Sequence, residues 1–106
     1  METKQQILQI LGLATRARMT ITGEELTISE VRRGNAKMVL VAEDASENTS
    51  KKLQDKCSHY KVDIQIFGTR SELGHAIGKD ERVVMAVTDK GFAKKLRSLF
   101  DEYNRG

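Results

Sequence analysis

The amino-acid sequence predicts one α/β domain, folded as a three-layer α/β/α sandwich around a mixed sheet of about four strands. Short apolar runs of strand length alternate with segments whose apolar residues recur at helical spacing, which is typical of strand–helix–strand crossovers. Right-handed crossovers place helices on both faces of a sheet. The chain has 106 residues and no proline, so we expect a single domain over residues 1–106 with short turns between its elements.

The first part of the chain is predicted to form two helices, a short extended segment and a buried strand. Apolar residues at i, i+3, i+4 and i+7 indicate a helix over residues 4–16; they are Ile7, Ile10, Leu11 and Ala14. An extended segment at residues 19–21 follows. Thr22-Gly23 is expected to cap a second helix that runs to about Arg33, and Gly34 is the left-handed residue that ends it. The continuous apolar run at residues 38–42 is typical of a strand that is buried on both faces.

A third helix and a strand are expected next. The helix begins at Ser46 or Asn48, either of which could cap it. Its inner stripe is expected to contain three residues at helical spacing: Leu53, Cys57 and Tyr60. Residues 62–67 are predicted to form the strand that follows.

The last part of the chain is predicted to form a short helix, a strand and a long helix. Thr69 and Glu72 match a capping box for the short helix, which ends near Gly78. Residues 83–87 form the expected strand. Asp89 caps the long helix, whose apolar residues recur at helical spacing: Phe92, Leu96, Leu99, Phe100 and Tyr103.

Composition and charge limit the classes of protein to consider. Apolar residues make up 39% of the chain and charged residues 31%, a balance typical of folded domains rather than disordered segments. The net charge of +3 is compatible with a polyanionic partner. Cys57 is the only cysteine, so an intramolecular disulfide is excluded and a reducing compartment is expected. With no apolar run near the roughly 18 residues that a bilayer requires, we expect a cytoplasmic protein without a membrane partner.

No catalytic or cofactor-binding motif is found. Cys57, His59 and His75 are the candidate metal ligands, and we expect them to be structural or surface residues instead. There is no phosphate-binding glycine motif and no set of nucleophile, base and orienting residue. We therefore expect no metal, no cofactor and no catalysis.

The second helix has an unusual distribution of side chains. On a helical wheel Ile28 and Val31 point one way, with Thr27 at their edge, and this is the expected core face. The opposite face contains Leu26, Ser29, Glu30 and Arg33. Leu26 is thus an apolar side chain on a solvent-facing surface, next to a helix N-terminus whose N–H groups attract phosphate.

Three motifs resemble the kink-turn-binding family of ribosomal proteins. They are residues 23–34, the run Lys37-Met38-Val39-Leu40-Val41-Ala42-Glu43-Asp44-Ala45, and Glu72-Leu73-Gly74-x-Ala76-x-Gly78. The resemblance spans roughly residues 4–100 and keeps the order of elements, which implies the same fold. Two further runs are similar to the bacterial YlxQ branch of this family: Gly12-Leu13-Ala14-Thr15-Arg16-Ala17-Arg18 and Val87-Thr88-Asp89-Lys90-Gly91-Phe92-Ala93.

The resemblance implies a non-catalytic protein that binds structured RNA, within the ribosome or another ribonucleoprotein. Family members insert the N-terminus of the second helix into a kink-turn and read its tandem sheared G·A pairs, whose base edges are accessible because the RNA is distorted. Gly23 matches the glycine at the helix start. Three positions differ: Glu25 stands where the family usually has Asn or Lys, Leu26 where it often has Glu or a polar residue, and Ser29 where it usually has Lys.

These differences shape the expected contacts. Glu25 could accept hydrogen bonds from guanine N1–H and N2–H₂, and Glu24 adds negative charge that weakens binding to phosphate. The family's apolar loop before the last strand is charged here and contains Lys79 and Arg82. The expected RNA-binding residues are Gly23, Glu24, Glu25, Leu26, Ser29, Arg32, Arg33, Lys37, Lys79 and Arg82.

Two other functions are open at this point. Acidic and polar residues follow two of the strands and could form a phosphoacceptor site like that of a small receiver-like enzyme: Glu43, Asp44, Thr88, Asp89 and Lys90. Alternatively, the Leu26 face and the acidic helix start could bind a basic protein, because exposed apolar side chains framed by polar ones mark interaction surfaces.

Overall fold

The computed structural model describes residues 2–105, in which five helices and four strands form. Their order is α1 (Thr3–Arg16), β1 (Thr20–Thr22), α2 (Glu24–Arg32), β2 (Met38–Val41), α3 (Glu47–Tyr60), β3 (Asp63–Ile66), α4 (Arg70–Ala76), β4 (Val84–Val87) and α5 (Lys90–Arg105). Each element falls at or near its predicted place in the sequence.

The four strands form one mixed sheet in the order β1-β4-β2-β3. Strands β2 and β3 are parallel and joined through α3, whereas β4 lies between β1 and β2 and is antiparallel to both. Val41 is paired with Val84, and Met38 with Val87. One edge of the sheet, called here the tip edge, therefore holds the ends of β1, β2 and β3 and the start of β4. The far edge holds the other ends.

The sheet separates two apolar cores. Met38 and Leu40 of β2 point into a core with α1, α4 and α5, whereas Val39 and Val41 point into a core with α2 and α3. This alternation follows from the pleat of a strand, which directs successive side chains to opposite faces. The result is a three-layer α/β/α sandwich with a mixed four-stranded sheet, and the predicted fold class is confirmed.

Side-chain caps begin three of the helices, α3 and α4 at the tip edge and α5 at the far edge. The Ser46 hydroxyl accepts a hydrogen bond from the Thr49 N–H and begins α3, so the cap is Ser46 rather than Asn48. Thr69 and Glu72 form the predicted capping box at the start of α4. The Asp89 carboxylate accepts a hydrogen bond from the Phe92 N–H at the start of α5, on the far edge.

One predicted core position is wrong. Leu53 and Cys57 are buried on the inner face of α3, but Tyr60 is 40% exposed. The helix ends at Tyr60 and Lys61 takes the left-handed conformation with φ of 59°, so the chain leaves the core face at this point. The Tyr60 ring instead makes an edge-to-face contact with His59, with 4.7 Å between ring centroids.

Candidate nucleic-acid interface

Helix α2 begins at the tip edge with a glycine in place of a capping side chain. Gly23 has φ of 101° and ψ of 147°, a conformation that is essentially restricted to glycine. Its N–H donates to the Val84 carbonyl at 2.9 Å, which joins the helix start to β4. Since the first N–H groups of any helix lack intrahelical partners, the first turn of α2 presents uncapped donors.

A cleft of about 390 Å³, called here the tip cleft, opens beside Gly23. It is lined by residues from four segments of the chain: Gly23, Glu24, Ser46, Thr49, Arg70, Glu81, Arg82, Val83 and Val84. The structure thus brings together three predicted site residues, Gly23, Glu24 and Arg82. Ser46, Thr49, Arg70 and Val83 were not predicted as site residues, because they come from other segments and only the fold brings them to α2.

The two arginines of the tip cleft are fixed by hydrogen bonds to backbone carbonyls and, for Arg70, by the Asp44 carboxylate. The Arg82 N–H donates to the Arg70 carbonyl at 3.0 Å, and the Arg82 guanidinium donates to the Glu81 carbonyl at 2.8 Å. The Arg70 N–H donates to the Asp44 carboxylate at 2.9 Å, and the Arg70 guanidinium lies 3.4 Å from the same carboxylate. Both guanidiniums are therefore held at the tip edge by the fold.

The loop before β4 packs directly on helix α4. A Cβ atom added at Gly74 would lie 2.0 Å from the Asp80 carbonyl oxygen, a distance that no side chain tolerates. Only glycine at this position lets the loop approach α4 and bring Arg82 to the tip cleft. Lys79 lies in the same loop but is exposed and does not line the tip cleft.

Two lysines of α3 offset the acidic start of α2. The Lys52 ammonium donates to the Glu24 carboxylate at 2.9 Å, and this hydrogen bond, followed by one with Thr49, holds the pKa of Glu24 below its ordinary value. The pKa of Lys52 is raised by the same hydrogen bond. A groove between the helices, called here the α2–α3 groove, is lined by Glu24, Glu25, Ile28, Arg32, Lys52 and Lys56.

The outward face of α2 is arranged as the helical wheel predicts. Ile28, Val31 and Thr27 are buried, whereas Leu26 is 51% exposed. Glu30 on the outward face accepts hydrogen bonds from the Asn35 amide at 2.8 Å and from Arg33 at 3.4 Å. Ser29 is half-buried beside it.

The predicted cations at the end of α2 and just beyond it lie away from Gly23. Arg32 and Lys37 line a cleft at the far edge, called here the far cleft, with Val31, Gly34, Ala36, Tyr60, Lys61, Val62, Asp63 and Arg97. Helix α2 has nine residues and is therefore about 14 Å long, so these cations cannot reach the nucleotide that would contact Gly23. The structure therefore divides the predicted residues between two ends of one helix.

The structure does not bring together the acidic and polar residues of the alternative phosphoacceptor site, so that prediction is wrong. Glu43 and Asp44 follow β2 at the tip edge, but Thr88, Asp89 and Lys90 follow β4, which is antiparallel to β2 and ends at the far edge. The two sets are at least the length of a four-residue strand apart, about 13 Å, so they do not form one site. Asp44 is bound to Arg70, and Asp89 caps α5.

Cys57 and the histidines do not form a metal centre. In the part of the chain that the structure describes, no three His, Cys, Asp or Glu side chains are grouped so that they could hold a metal ion. Cys57 is fully buried, and burial, followed by the charge of Asp63, raises its thiol pKa to about 11. Within residues 2–105, no helix is both long and apolar enough to cross a bilayer.

The fold and the glycine-led helix define the class of protein. The chain belongs to the ribosomal protein L7Ae/L30e/S12e/Gadd45 family, whose family model matches residues 5–97. It is 56% identical over 92 residues to the RNA-binding protein YlxQ of Bacillus subtilis, which covers 87% of this chain and 92% of that protein. The predicted family and bacterial branch are confirmed.

Two solved structures share the fold. A protein of unknown function from Bacillus halodurans C is 47% identical and superposes with a TM-score of 0.89, covering 91% of this chain and 97% of that one. The Giardia lamblia 15.5kD RNA binding protein superposes with a TM-score of 0.78 at 19% identity, covering 93% and 91% of the two chains. The second protein therefore has the same fold although its sequence is only 19% identical.

Proposed function

We propose that this protein binds structured RNA at the tip edge without catalysing a reaction, and that its target is a kink-turn or a related sharply bent motif. One observation carries the proposal: the uncapped N-terminus of α2 at Gly23 faces a cleft with two fixed arginines, Arg70 and Arg82. The names of its relatives, RNA-binding and ribosomal proteins, support the same function. We expect it to act in the cytoplasm as a component of the ribosome or of another ribonucleoprotein.

The tip cleft offers the groups that a distorted RNA requires. The N–H donors of the α2 start suit a phosphate or a base acceptor, and the arginines suit phosphates that position the RNA. Glu25 is exposed in the first turn of α2 and is suited to accept from guanine N1–H and N2–H₂. Leu26, half exposed on the next position, would pack against an unstacked base.

Three other predicted residues, Arg33, Ser29 and Lys79, could make further RNA contacts in this proposal. The Arg33 side chain is 69% exposed and only loosely paired with Glu30, so it is available to a phosphate along the outward face of α2. Ser29 lies on the same face. Lys79 is exposed in the loop before β4 and would contact RNA that extends past Arg82.

Charge at the tip cleft predicts specificity rather than high electrostatic affinity. Its lining contains two arginines and two glutamates, Glu24 and Glu81, so the side-chain charges cancel. Each phosphate contact contributes a slope of about −0.9 to the dependence of log affinity on log salt for duplex nucleic acid. Two contacts at the tip therefore give a slope of about −2, and shape and base-edge contacts supply the rest of the free energy.

A gel-shift experiment tests the proposal. We expect a bent RNA with tandem G·A pairs and blunt stems to bind, and the same RNA with Watson–Crick pairs in their place to lose binding. Arg82→Gln should weaken binding and reduce the salt slope by about one, whereas Arg105→Gln, at an exposed position of α5, should do neither. Equal affinity for the two RNAs would refute recognition of the bend.

Absence of binding to both RNAs at low salt would refute RNA binding at the tip edge altogether. In that case the exposed Leu26 and the acidic start of α2 favour a basic protein as partner. Co-purification that survives ribonuclease treatment and is lost in Leu26→Arg would establish that second function.

A further inference from the structure

The far cleft is a second concave surface with the composition of a nucleic-acid contact. Its volume is about 470 Å³, and helices α2 and α3 both end beside it. Tyr60 contributes a 40% exposed aromatic ring at its rim. Lys61, the next residue, and Arg97 from α5 also line the far cleft, and none of these three side chains lines the tip cleft.

The far cleft is more cationic than the tip cleft. It is lined by four cations, Arg32, Lys37, Lys61 and Arg97, against one carboxylate, Asp63. The two helix C-termini oppose an anion, since each is equivalent to about half a negative charge. A positive charge of about two remains after this subtraction. At the tip cleft the arginines and glutamates cancel, and the N-termini of α2, α3 and α4 beside it add about half a positive charge each.

Two of these cations have hydrogen-bond or ion-pair partners, Lys37 and Arg97. The Arg97 guanidinium lies 3.2 Å from the Asp63 carboxylate, although 63% of the Arg97 side chain is exposed. The Lys37 ammonium donates to the Gly34 carbonyl at 2.8 Å and so covers part of the C-terminus of α2. Arg32 and Lys61 are exposed, which leaves them the strongest candidates to contact a phosphate.

A continuous surface joins the far cleft to the tip cleft. Glu24 lines both the tip cleft and the α2–α3 groove, and Arg32 lines both that groove and the far cleft. Between them, Lys52 and Lys56 lie four residues apart on α3, with Tyr60 four residues further on the same side of the helix. An RNA strand that starts at Gly23 therefore passes Glu24 and Glu25 at the start of α2, where Lys52 is paired with Glu24, and reaches Lys56 and Arg32 towards its end, about 14 Å away.

The backbone at Lys61 supports a role for its side chain. Lys61 occupies the left-handed position after α3 with φ of 59°, where glycine is the favoured residue because it has no Cβ. A lysine at this position carries a conformational cost that glycine would avoid. The side chain that it adds is directed by the helix end to the rim of the far cleft, next to Tyr60.

We propose that the far cleft binds a single-stranded RNA segment that extends from the bent motif, with phosphates at Arg32 and Lys61 and one base stacked on Tyr60. This inference rests on the proposed function, because the tip edge supplies the first anchor. A single strand fits better than a duplex, since only an unpaired base exposes its face to an aromatic ring.

The test compares two RNAs with the same bent motif: one with blunt stems and one with a single-stranded tail of about eight nucleotides, placed at each end in turn. We expect one of the tailed RNAs to bind the wild-type protein about tenfold more tightly than the blunt RNA, the gain that one stacked base provides. Tyr60→Ala should remove the part of this gain that stacking provides, leaving the phosphate contacts at Arg32 and Lys61, and should leave the affinity for the blunt RNA unchanged.

Charge variants test the phosphate contacts. Arg32→Gln/Lys61→Gln should reduce the salt slope for the tailed RNA by about 1.4, because each phosphate contact to a single strand contributes about 0.7. Lys94→Gln/Lys95→Gln, an equal charge change at exposed positions of α5, should not reduce it. Lys61→Gly should keep or raise the stability of the protein while it weakens binding of the tailed RNA. This variant separates loss of contact from loss of folding.

The outcomes distinguish the two proposals. If the blunt RNA binds and neither tail improves the affinity, the far cleft has no RNA role and the proposed function stands. A tail that improves binding equally in the wild type and in Tyr60→Ala overturns the stacking contact. If the blunt RNA fails to bind, the proposed function falls, and absence of binding to the isolated tail then overturns the far cleft as well.

Discussion

Substitution of Gly23 by alanine tests the backbone at the start of α2. At φ of 101° and ψ of 147°, Gly23 occupies a region that is essentially restricted to glycine. A Cβ atom added there would meet nothing within 4 Å, so no steric clash with neighbouring residues contributes. The effect of Gly23→Ala therefore reports backbone conformation and not a steric clash.

The size of this strain follows from two opposing terms. Holding a non-glycine residue in this region costs about 1–3 kcal/mol. Alanine also restricts the unfolded chain, which offsets about 0.4–1 kcal/mol of that cost. We expect Gly23→Ala to lower the free energy of unfolding by about 1–2 kcal/mol, which corresponds to a fall of roughly 5–10 °C in Tm for a domain of this size. If the backbone instead relaxes, the hydrogen bond from Gly23 to Val84 is lost, with a similar cost.

Urea unfolding and gel shifts on the same samples provide the assay. Gly34→Ala is the matched control, because Gly34 also has a positive φ, 79°, and nothing within 4 Å of an added Cβ atom. Both variants should lose about 1 kcal/mol or more of stability. Only Gly23→Ala should lose affinity for the blunt bent RNA, because only that residue aims the first N–H groups of α2.

Two results would refute this reasoning. A Gly23→Ala protein as stable as the wild type would show that the left-handed conformation is not required at the helix start. A destabilised Gly23→Ala protein with unchanged RNA affinity would show that the α2 N-terminus is not the contact, whatever the strain.

Four further predictions concern stability, recognition and reactivity. Leu26→Arg should change RNA affinity while it alters the free energy of unfolding by less than about 0.5 kcal/mol, because Leu26 is 51% exposed; a large loss in urea unfolding would contradict this. Phe67→Ala should lower the free energy of unfolding by about 3–5 kcal/mol, because the ring is fully buried, and a loss below about 1 kcal/mol would be inconsistent with that burial. The Cys57 thiol, whose pKa is raised to about 11 by burial, should react with a thiol reagent at the rate of global unfolding, and rapid modification of the native protein would refute its burial. The pKa of Glu72 is lowered, first by a hydrogen bond from Lys4, so the stability advantage of the wild type over Glu72→Gln should be present above the ordinary value of 4.5 and lost as pH falls through the lowered pKa; an advantage that grows with acid in urea unfolding would contradict the sign.

Much of the fold could be predicted because local chemistry and apolar spacing agree. The capping box at Thr69 and Glu72, the buried run of β2 and the inner stripe of α5 are each encoded within a few residues. The wheel of α2 placed Leu26 outside and Val31 inside, as observed. Tyr60 was the exception, because a periodic pattern does not reveal where a helix ends, and α3 ends at that residue.

The candidate site was less predictable because it depends on strand direction. Asp44 follows β2 and Asp89 follows β4 within three residues, so the sequence allows one site that contains both. The antiparallel pairing of β2 and β4 instead places them at opposite edges of the sheet. That pairing is decided by contacts between distant segments and not by the residues that follow each strand. For the same reason the sequence did not reveal that Arg70 would join Arg82 beside Gly23.

The division of charge between the two ends of α2 has a consequence for recognition. At the tip cleft arginines and glutamates cancel, so a long regular duplex gains little from contact there, while a distorted RNA gains base-edge contacts in addition. At the far cleft the excess of cations favours any phosphate but carries no information about sequence or bend. In our proposal the selective contact and the electrostatic contact lie about 14 Å apart on one helix, so we expect an RNA with both a bend and a strand beyond it to bind more tightly than an RNA with only one of these features.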